Sequence, residues 1–356
     1  MKYFVSCGEM SGDLHISYLV SEIKKIDKEA HFFGMAGEHS KKVGVEVIQN
    51  IDELAIMGFL EALFKYRLLK QKSQEYLEFI KKNEIKKVIL IDYGGFNLYF
   101  LKLLKKELPN VEVYYYIPPK LWVWGAKRIK KLKLADHILV IFPWEVEFYK
   151  EQKVEVVYYG NPLIDKIEPV SKKGKDILLL PGSRKQEIQS LLPEMLKVVR
   201  ILKNEKFILK LASKKHLKWI DENDLKLENL EINFDNSLKE VVEKSKLSIA
   251  ASGTVTLELA LMELPTIVGY NTSFLNEMIA RMILKLKYIS LPNITMKKEV
   301  FVELLQKKFT SEKILKEIIK INEDKNRIKK DLVEIRRILG GENVIAKYAK
   351  YIENIK

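Results

Sequence analysis

The sequence predicts an α/β fold of two Rossmann-like domains, parallel sheets covered by helices and facing a central cleft. Short β-branched and aromatic runs alternate with longer amphipathic stretches, the pattern that builds parallel sheets. The alternation runs through two series of similar size. A chain of 356 residues also has the length of two domains at roughly 150 residues each.

In the first series the strand candidates are Tyr3 to Ser6, His31 to Phe33, Val88 to Asp92, Val111 to Tyr116, His137 to Ile141 and Val156 to Tyr159. Leu14 to Lys28, Glu53 to Lys82 and Asn97 to Lys106 carry apolar residues at helical spacing between them. Around Asn161 to Lys175 the pattern stops, with Pro162, Pro169, Gly174 and a run of lysines marking a linker. It restarts with strand candidates Ile177 to Leu180, Phe207 to Leu211, Ile232 to Phe234, Leu247 to Ala250 and Thr266 to Val268. The last fifth reads as helical and very basic. These breaks give an N-terminal domain 1–165, a C-terminal domain 166–335 and a terminal helix 336–356 that could pack back on the first domain.

Composition excludes several classes. Lys plus Arg is 62 against 48 Asp plus Glu, a formal charge of +14 that favours nucleotides, anionic headgroups or nucleic acid. One cysteine, Cys7, allows neither an internal disulfide nor a cysteine-built zinc site. His15, His31, His39, His137 and His216 are scattered without metal-ligand spacing. No apolar run approaches roughly 18 residues, and Met1 to Ser6 reads as a first strand rather than a signal peptide. GxGxxG and the GxxxxGK[ST] phosphate loop are both absent, and no RRM, KH, zinc-finger or helix-turn-helix pattern supports a nucleic-acid partner.

Ligands of open α/β sheets bind beyond the carboxyl ends of the strands, so the loops there carry the functional signal. Gly8 to His15 joins a strand to a helix, with Glu9 a carboxylate at the cleft mouth and Ser11 or Asp13 available to cap. Asp92 ends an apolar strand and is followed by Gly94 and Gly95, the setting of a catalytic carboxylate or of an Asx turn with Asn97 as cap. Gly182, Ser183 and Arg184 open a helix that has Glu187 in its first turn, either an anion cradle or a capping box. Ser252, Gly253 and Thr254 open another, with Glu258 one turn in, either a second cradle with a ribose clamp or a capped helix start. Two cradles in one domain suit a nucleotide diphosphate sugar.

These loops in this order resemble the lipid-A-disaccharide synthase family, GT-B glycosyltransferases of lipopolysaccharide assembly. The resemblance is carried by GEMSGD at Gly8 to Asp13, LAIMGFLEAL at Leu54 to Leu63, IDYGGFN at Ile91 to Asn97 and YYYIPPKLWVWGAKR at Tyr114 to Arg128. It continues with FPWEVEFY at Phe142 to Tyr149, GNPLID at Gly160 to Asp165, LLLPGSRKQEI at Leu178 to Ile188 and ASGTVTLELALMELPTIVGY at Ala251 to Tyr270. ISLPN at Ile289 to Asn293 and ELLQ at Glu303 to Gln306 complete it. The chain departs from the family where Tyr93, Gly94 and Gly95 stand in place of an Ala-Pro-acid run, where Pro118-Pro119 stands for Ser-Pro, and where Asn161 replaces a histidine.

The resemblance implies transfer of a diacylated glucosamine from UDP-2,3-diacylglucosamine to 2,3-diacylglucosamine 1-phosphate. The products are a β-1′,6-linked lipid A disaccharide 1-phosphate, formed with inversion, and UDP. It implies Asp92 as base, Glu9 as a second candidate and Arg184 as the charge at the leaving group. Gly182, Ser183, Arg184, Ser252, Gly253, Thr254, Glu258, Asn293 and Gln306 then form the donor site, and Ser11, Asn97 and Trp122 the acceptor side. No metal or other cofactor is expected, since no paired-aspartate motif ends a strand and fixed cations can serve the diphosphate. Acylated substrates require peripheral contact with an anionic membrane, expected at the cytoplasmic face of the inner membrane. Three segments could supply it, the first and last of which read as well as ordinary core helices. One is Leu275, Met278, Ile279, Met282, Ile283 and Leu286 with Arg281, Lys285 and Lys287; the others are Lys120 to Lys133 with Trp122 and Trp124, and Ile56 to Leu69. Another GT-B enzyme, such as a UDP-N-acetylglucosamine 2-epimerase, and a non-catalytic nucleotide or polyanion binder stay open at this point, as does the oligomeric state, a homodimer included.

Overall fold

The computed structural model describes residues 1–51, 62–121, 128–171, 174–271 and 287–354. The chain divides into two compact units, Met1–Asp165 with Gly340–Lys356, and Lys166–Leu339.

The first unit holds a seven-stranded, all-parallel sheet of β1 (Lys2–Ser6), β2 (His31–Ala36), β3 (Val45–Asn50), β4 (Lys87–Ile91), β5 (Glu112–Tyr116), β6 (His137–Val140) and β7 (Val157–Tyr158). Its order is β3-β2-β1-β4-β5-β6-β7. The order reverses between β1 and β4, which is where a doubly wound sheet opens a crevice beyond its carboxyl edge. β4 is buried along its whole length, as its run of apolar residues requires in a sheet covered on both faces. Helices α1 (Met10–Ile26), α2 (Glu38–Lys42), α3 (Ala62–Lys82) and α4 (Gly94–Glu107) provide the cover together with α5 (Ile129–Leu132) and α6 (Pro143–Glu151). Phe4 of β1, Tyr76 of α3, and Phe96 and Phe100 of α4 form a continuous aromatic core, with ring centroids 5.4 to 6.0 Å apart.

The second unit repeats the plan. β8 (Asp176–Leu180), β9 (Phe207–Lys210), β10 (Leu230–Asn233), β11 (Ser245–Ala251), β12 (Thr266–Tyr270) and β13 (Val302–Leu305) pair in parallel in the order β10-β9-β8-β11-β12-β13. Here the reversal falls between β8 and β11. α7 (Lys185–Ile201) follows β8, α8 (Leu238–Glu243) precedes β11, and α9 (Thr254–Leu261) follows it. α10 (Leu291–Met296), α11 (Ser311–Glu323) and α12 (Lys325–Leu339) complete the unit, so the boundary falls after Leu339.

The last helix, α13 (Val344–Ile352), packs on α1 of the first unit. Its Tyr348 hydroxyl reaches the carbonyls of Val140 (2.5 Å) and Gly160 (3.0 Å). The stretch expected as a linker begins as structure. Pro162–Asp165 forms a 3-10 turn, Asn161 is fully buried with its Oδ1 accepting from the Leu163 N–H (3.0 Å), and Asp165 accepts from the Ile345 N–H (2.8 Å). Two strands were not anticipated from sequence, β3 and β13, and each lies at the edge of its sheet. Among the described residues no helix is long and apolar enough to cross a membrane.

Candidate active site

In the first unit two loops flank the β1/β4 reversal, with Ser6 opposite Leu90 in the parallel register. One is Cys7 to Ser11. Glu9 is the N-cap residue of α1 and is exposed, as are Met10 and Ser11. Neither Ser11 nor Asp13 caps this helix, contrary to expectation, because no side chain bonds its N-cap. Asp13 instead reaches a different helix. Its buried carboxylate accepts from the backbone N–H groups of Gly37 (2.8 Å), His39 (2.9 Å) and Ser40 (3.2 Å), the free donors at the start of α2.

The second loop carries Asp92, which lies one residue past the end of β4 in a left-handed conformation (φ 39°). Tyr93 (φ 45°) and, across the sheet edge, Ile117 (φ 56°) share that conformation. A non-glycine residue there costs roughly 1–2 kcal/mol, so the backbone must be held from outside. The Asp92 N–H donates to the Ile117 carbonyl (3.0 Å), and its carbonyl accepts from the Tyr115 hydroxyl (2.8 Å) and the Asn97 amide (3.2 Å). Gly8 makes room for Tyr93, since a Cβ there would lie 2.2 Å from its ring.

Burial pushes the Asp92 carboxyl up to about 6; Glu9 adds to the rise, while Lys120 and the Tyr93 N–H oppose it. A half-buried carboxylate with its proton affinity near neutral is suited to general-base work.

Asn97 is fully buried, and its amide is spent on the carbonyls of Ser6 (3.1 Å), Ile91 (2.9 Å) and Asp92 (3.2 Å) while its Oδ1 accepts from Ser6 Oγ (2.7 Å). It therefore ties β1 to β4 and does not face an acceptor sugar. Trp122 lies outside the described residues, as do 56–61 and 272–286 of the apolar segments that could meet a membrane.

In the second unit two loops again flank the reversal, with Leu180 opposite Ala250. Gly182 adopts φ 108°, open to glycine and strained for side chains. The backbone N–H groups of Ser183 (3.1 Å) and Arg184 (3.3 Å) both donate to Glu187 Oε2. The capping-box alternative is thus the one formed here, and these amides are already engaged. The Arg184 side chain is 76% exposed and touches Glu187 Oε1 at 3.3 Å. An exposed i,i+3 pair of this kind contributes little, and the guanidinium stays available to an anion.

The second cradle is different. Gly253 is the N-cap residue of α9, no side chain among the described residues caps that end, and a Cβ on Gly253 would meet open space. Glu258, one turn in, is half-buried, and burial alone raises its carboxyl above the ordinary range.

Tyr270 ends β12 opposite Leu305 of β13. Its hydroxyl is raised by burial and by Glu187, with Arg184 acting the other way, which ties this end of β12 to the Arg184 loop. Gln306 follows β13 directly with φ 52°. Gly182, Arg184, Gly253, Tyr270 and Gln306 thus sit at the carboxyl ends of adjacent strands.

Asn293 does not join them. It is fully buried, its amide donates to the Phe301 carbonyl (2.7 Å) and Glu303 (2.8 Å), and its Oδ1 accepts from the N–H groups of Val300 (2.8 Å) and Phe301 (2.9 Å). With Glu303, which also takes the N–H groups of Ile289 and Ser290, it fixes the start of α10. Among the described residues no three His, Cys, Asp or Glu side chains converge as metal ligands.

Residues 3–355 match the family model described as lipid-A-disaccharide synthetase. The chain belongs to the lipid-A-disaccharide synthase family. The lipid-A-disaccharide synthase of Coxiella burnetii (strain CbuG_Q212) is 32% identical, covering 98% of this chain and 96% of that protein. That of Synechocystis (strain PCC 6803) is 32% identical over 99% of this chain and 97% of its own. Among solved structures, the UDP-GlcNAc 2-epimerase of Neisseria meningitidis, bound to UDP-GlcNAc, superposes with a TM-score of 0.64 at 14% identity, over 99% of each chain. The calicheamicin glycosyltransferase CalG4 superposes at 0.62 and 12% identity, over 99% of this chain and 97% of its own. The fold is the two-domain GT-B arrangement of parallel sheets. Membership of the synthase family makes the chain a glycosyltransferase of lipid A disaccharide synthesis and sets aside the non-catalytic and epimerase readings.

Proposed function

We propose that this lipid-A-disaccharide synthase moves a diacylated glucosamine from UDP-2,3-diacylglucosamine to the 6-hydroxyl of 2,3-diacylglucosamine 1-phosphate, inverting the anomeric carbon and releasing UDP. The observation that carries the reading is Asp92, a carboxylate of near-neutral proton affinity at the β1/β4 reversal. Asp92 takes the acceptor hydroxyl's proton as the oxygen attacks, and the bond from the anomeric carbon to the diphosphate oxygen breaks. Exposed Glu9 beside it raises its affinity for that proton.

The departing diphosphate needs positive groups already in place. The N-terminus of α9 at Thr254 and the Arg184 guanidinium supply them, with Ser252 and Gly253 lining the approach. The half-buried Glu258 carboxylate takes the ribose hydroxyls, whose hydrogen bonds offset its desolvation. Ser183 and Gly182 shape the Arg184 loop, and Gln306 closes the row of strand ends. Fixed cations here support turnover without added metal.

We also read the protein as bound peripherally to anionic lipid at the cytoplasmic face of the inner membrane. Arg128, Lys130, Lys131 and Lys133 are exposed around α5, while Ile129 and Leu132 anchor that helix in the core.

The test is incubation with the two lipid substrates in the presence of a chelator. Disaccharide 1-phosphate and UDP should form at an undiminished rate, and Arg184→Ala should slow transfer and weaken UDP binding. Turnover lost to the chelator and restored by Mg²⁺ contradicts the metal-free reading, and unchanged UDP affinity in Arg184→Ala removes that residue from the site.

A further inference from the structure

Asp92 is held in an unfavourable backbone conformation, and the groups that hold it are specific. β5 runs parallel to β4 with Leu90 opposite Tyr115 and Ile91 opposite Tyr116. This register carries the Tyr115 ring to the point where β4 ends. Tyr115 is fully buried, and its hydroxyl donates to the Asp92 carbonyl at 2.8 Å. The other backbone group is locked as well, because the Asp92 N–H donates to the carbonyl of left-handed Ile117. Tyr115 of β5 and the residue just past that strand therefore grip both backbone groups of Asp92, and only the side chain is left to move. Left-handed backbone at three non-glycine positions around one carboxylate is strain concentrated at a reacting group.

We infer that Tyr115 is a positioning residue for transfer, its hydroxyl fixing the left-handed backbone from which the Asp92 carboxylate meets the acceptor hydroxyl. The inference rests on Asp92 being the base. Fully buried, Tyr115 acts through the Asp92 carbonyl, with Asn97 as the second support. Loss of the hydroxyl frees Asp92 to relax, and a shift of about 1 Å in a reacting group can cost on the order of 10²-fold in rate.

The experiment is a double-mutant cycle of Tyr115→Phe and Asp92→Asn, with kcat, KM for the UDP-linked donor and UDP affinity measured for all four proteins. Tyr115→Phe should lower kcat about tenfold or more, with donor KM and UDP affinity within about twofold of the parent. In the Asp92→Asn background the same change should have almost no further effect, because the group it positions is gone. Parental kcat in Tyr115→Phe overturns the inference, and so does a loss that multiplies in full onto that of Asp92→Asn, the mark of a general structural role. Near-parental turnover in Asp92→Asn alone overturns the base assignment itself, whatever Tyr115→Phe does. A thermal melt of Tyr115→Phe separates a folding defect from a catalytic one: a collapsed melting transition with the activity loss also overturns the inference.

Discussion

Asp92 was legible as a candidate because a carboxylate closing the apolar run Val88 to Ile91 stands at the carboxyl end of a buried strand, where open α/β sheets meet their ligands. Its support was not legible. Three successive tyrosines, Tyr114 to Tyr116, look alike in sequence, and only the β4/β5 register shows that the middle hydroxyl meets the Asp92 carbonyl. Asn97 and Asn293 stood at motif positions, yet each is a fully buried amide spent on backbone groups, since spacing does not say whether an amide faces a ligand or the chain. The carboxyl of Asp92 near 6 makes kcat/KM rise with pH through that value. Asp92→Asn should remove this limb and lower kcat by roughly 10²-fold. Glu9→Gln should move the limb to lower pH, because the negative charge of Glu9 favours the protonated carboxyl; a limb left in place would take Glu9 out of the site.

The same burial has a consequence for stability. The folded carboxyl keeps its proton to higher pH than the ordinary 3.8, so stability falls as pH rises from there to about 6 and stays reduced above it. Relief of that penalty makes Asp92→Asn more stable than the parent by up to about 3 kcal/mol at pH 7.5, with the difference vanishing below about pH 4. Denaturant unfolding at the two pH values measures it, and an equal or lower stability at pH 7.5 would argue against desolvation as the cause of the raised carboxyl.

At the scale of elements, the two strands that sequence hides, β3 and β13, are edges, although the other two edges, β7 and β10, were legible. β3 and β13 mix buried with partly or fully exposed residues and each carries a glutamate, Glu46 and Glu303, so neither shows a long apolar run. Helix starts show the same limit. GSRKQE and SGTVTLE read alike as cradles, but Glu187 returns to the amides of Ser183 and Arg184, while the start of α9 has no side-chain cap among the described residues. This difference favours α9 for the diphosphate and gives Gly253 a test. Open space surrounds its absent Cβ and its φ of 169° suits any residue, so Gly253→Ala should melt within about a degree or two of the parent. UDP affinity should nevertheless fall about tenfold as the methyl meets the ligand, which calorimetric titration reads directly. Unchanged affinity would move the diphosphate elsewhere.

For the whole molecule, the surplus of +14 belongs to a chain whose proposed substrates are both anionic lipids. Retention on vesicles rich in anionic lipid at low ionic strength, with release on added salt, is expected from screened headgroup attraction. Equal retention on neutral vesicles in a flotation assay would rule that attraction out. The two-series alternation made both sheets legible, and both reversals bring the singled-out loops together in pairs: Gly8 to Ser11 with Asp92, and Gly182 to Arg184 with Ser252 to Glu258. What stayed hidden was which polar groups in those loops were already spent on the fold. A crystal structure with UDP bound decides the donor site. The diphosphate is expected against the backbone at Thr254 within reach of the Arg184 guanidinium, with the ribose on Glu258. A nucleotide seated instead on the Gly8 to Ser11 loop, or with Arg184 turned away to solvent, would overturn the assignment.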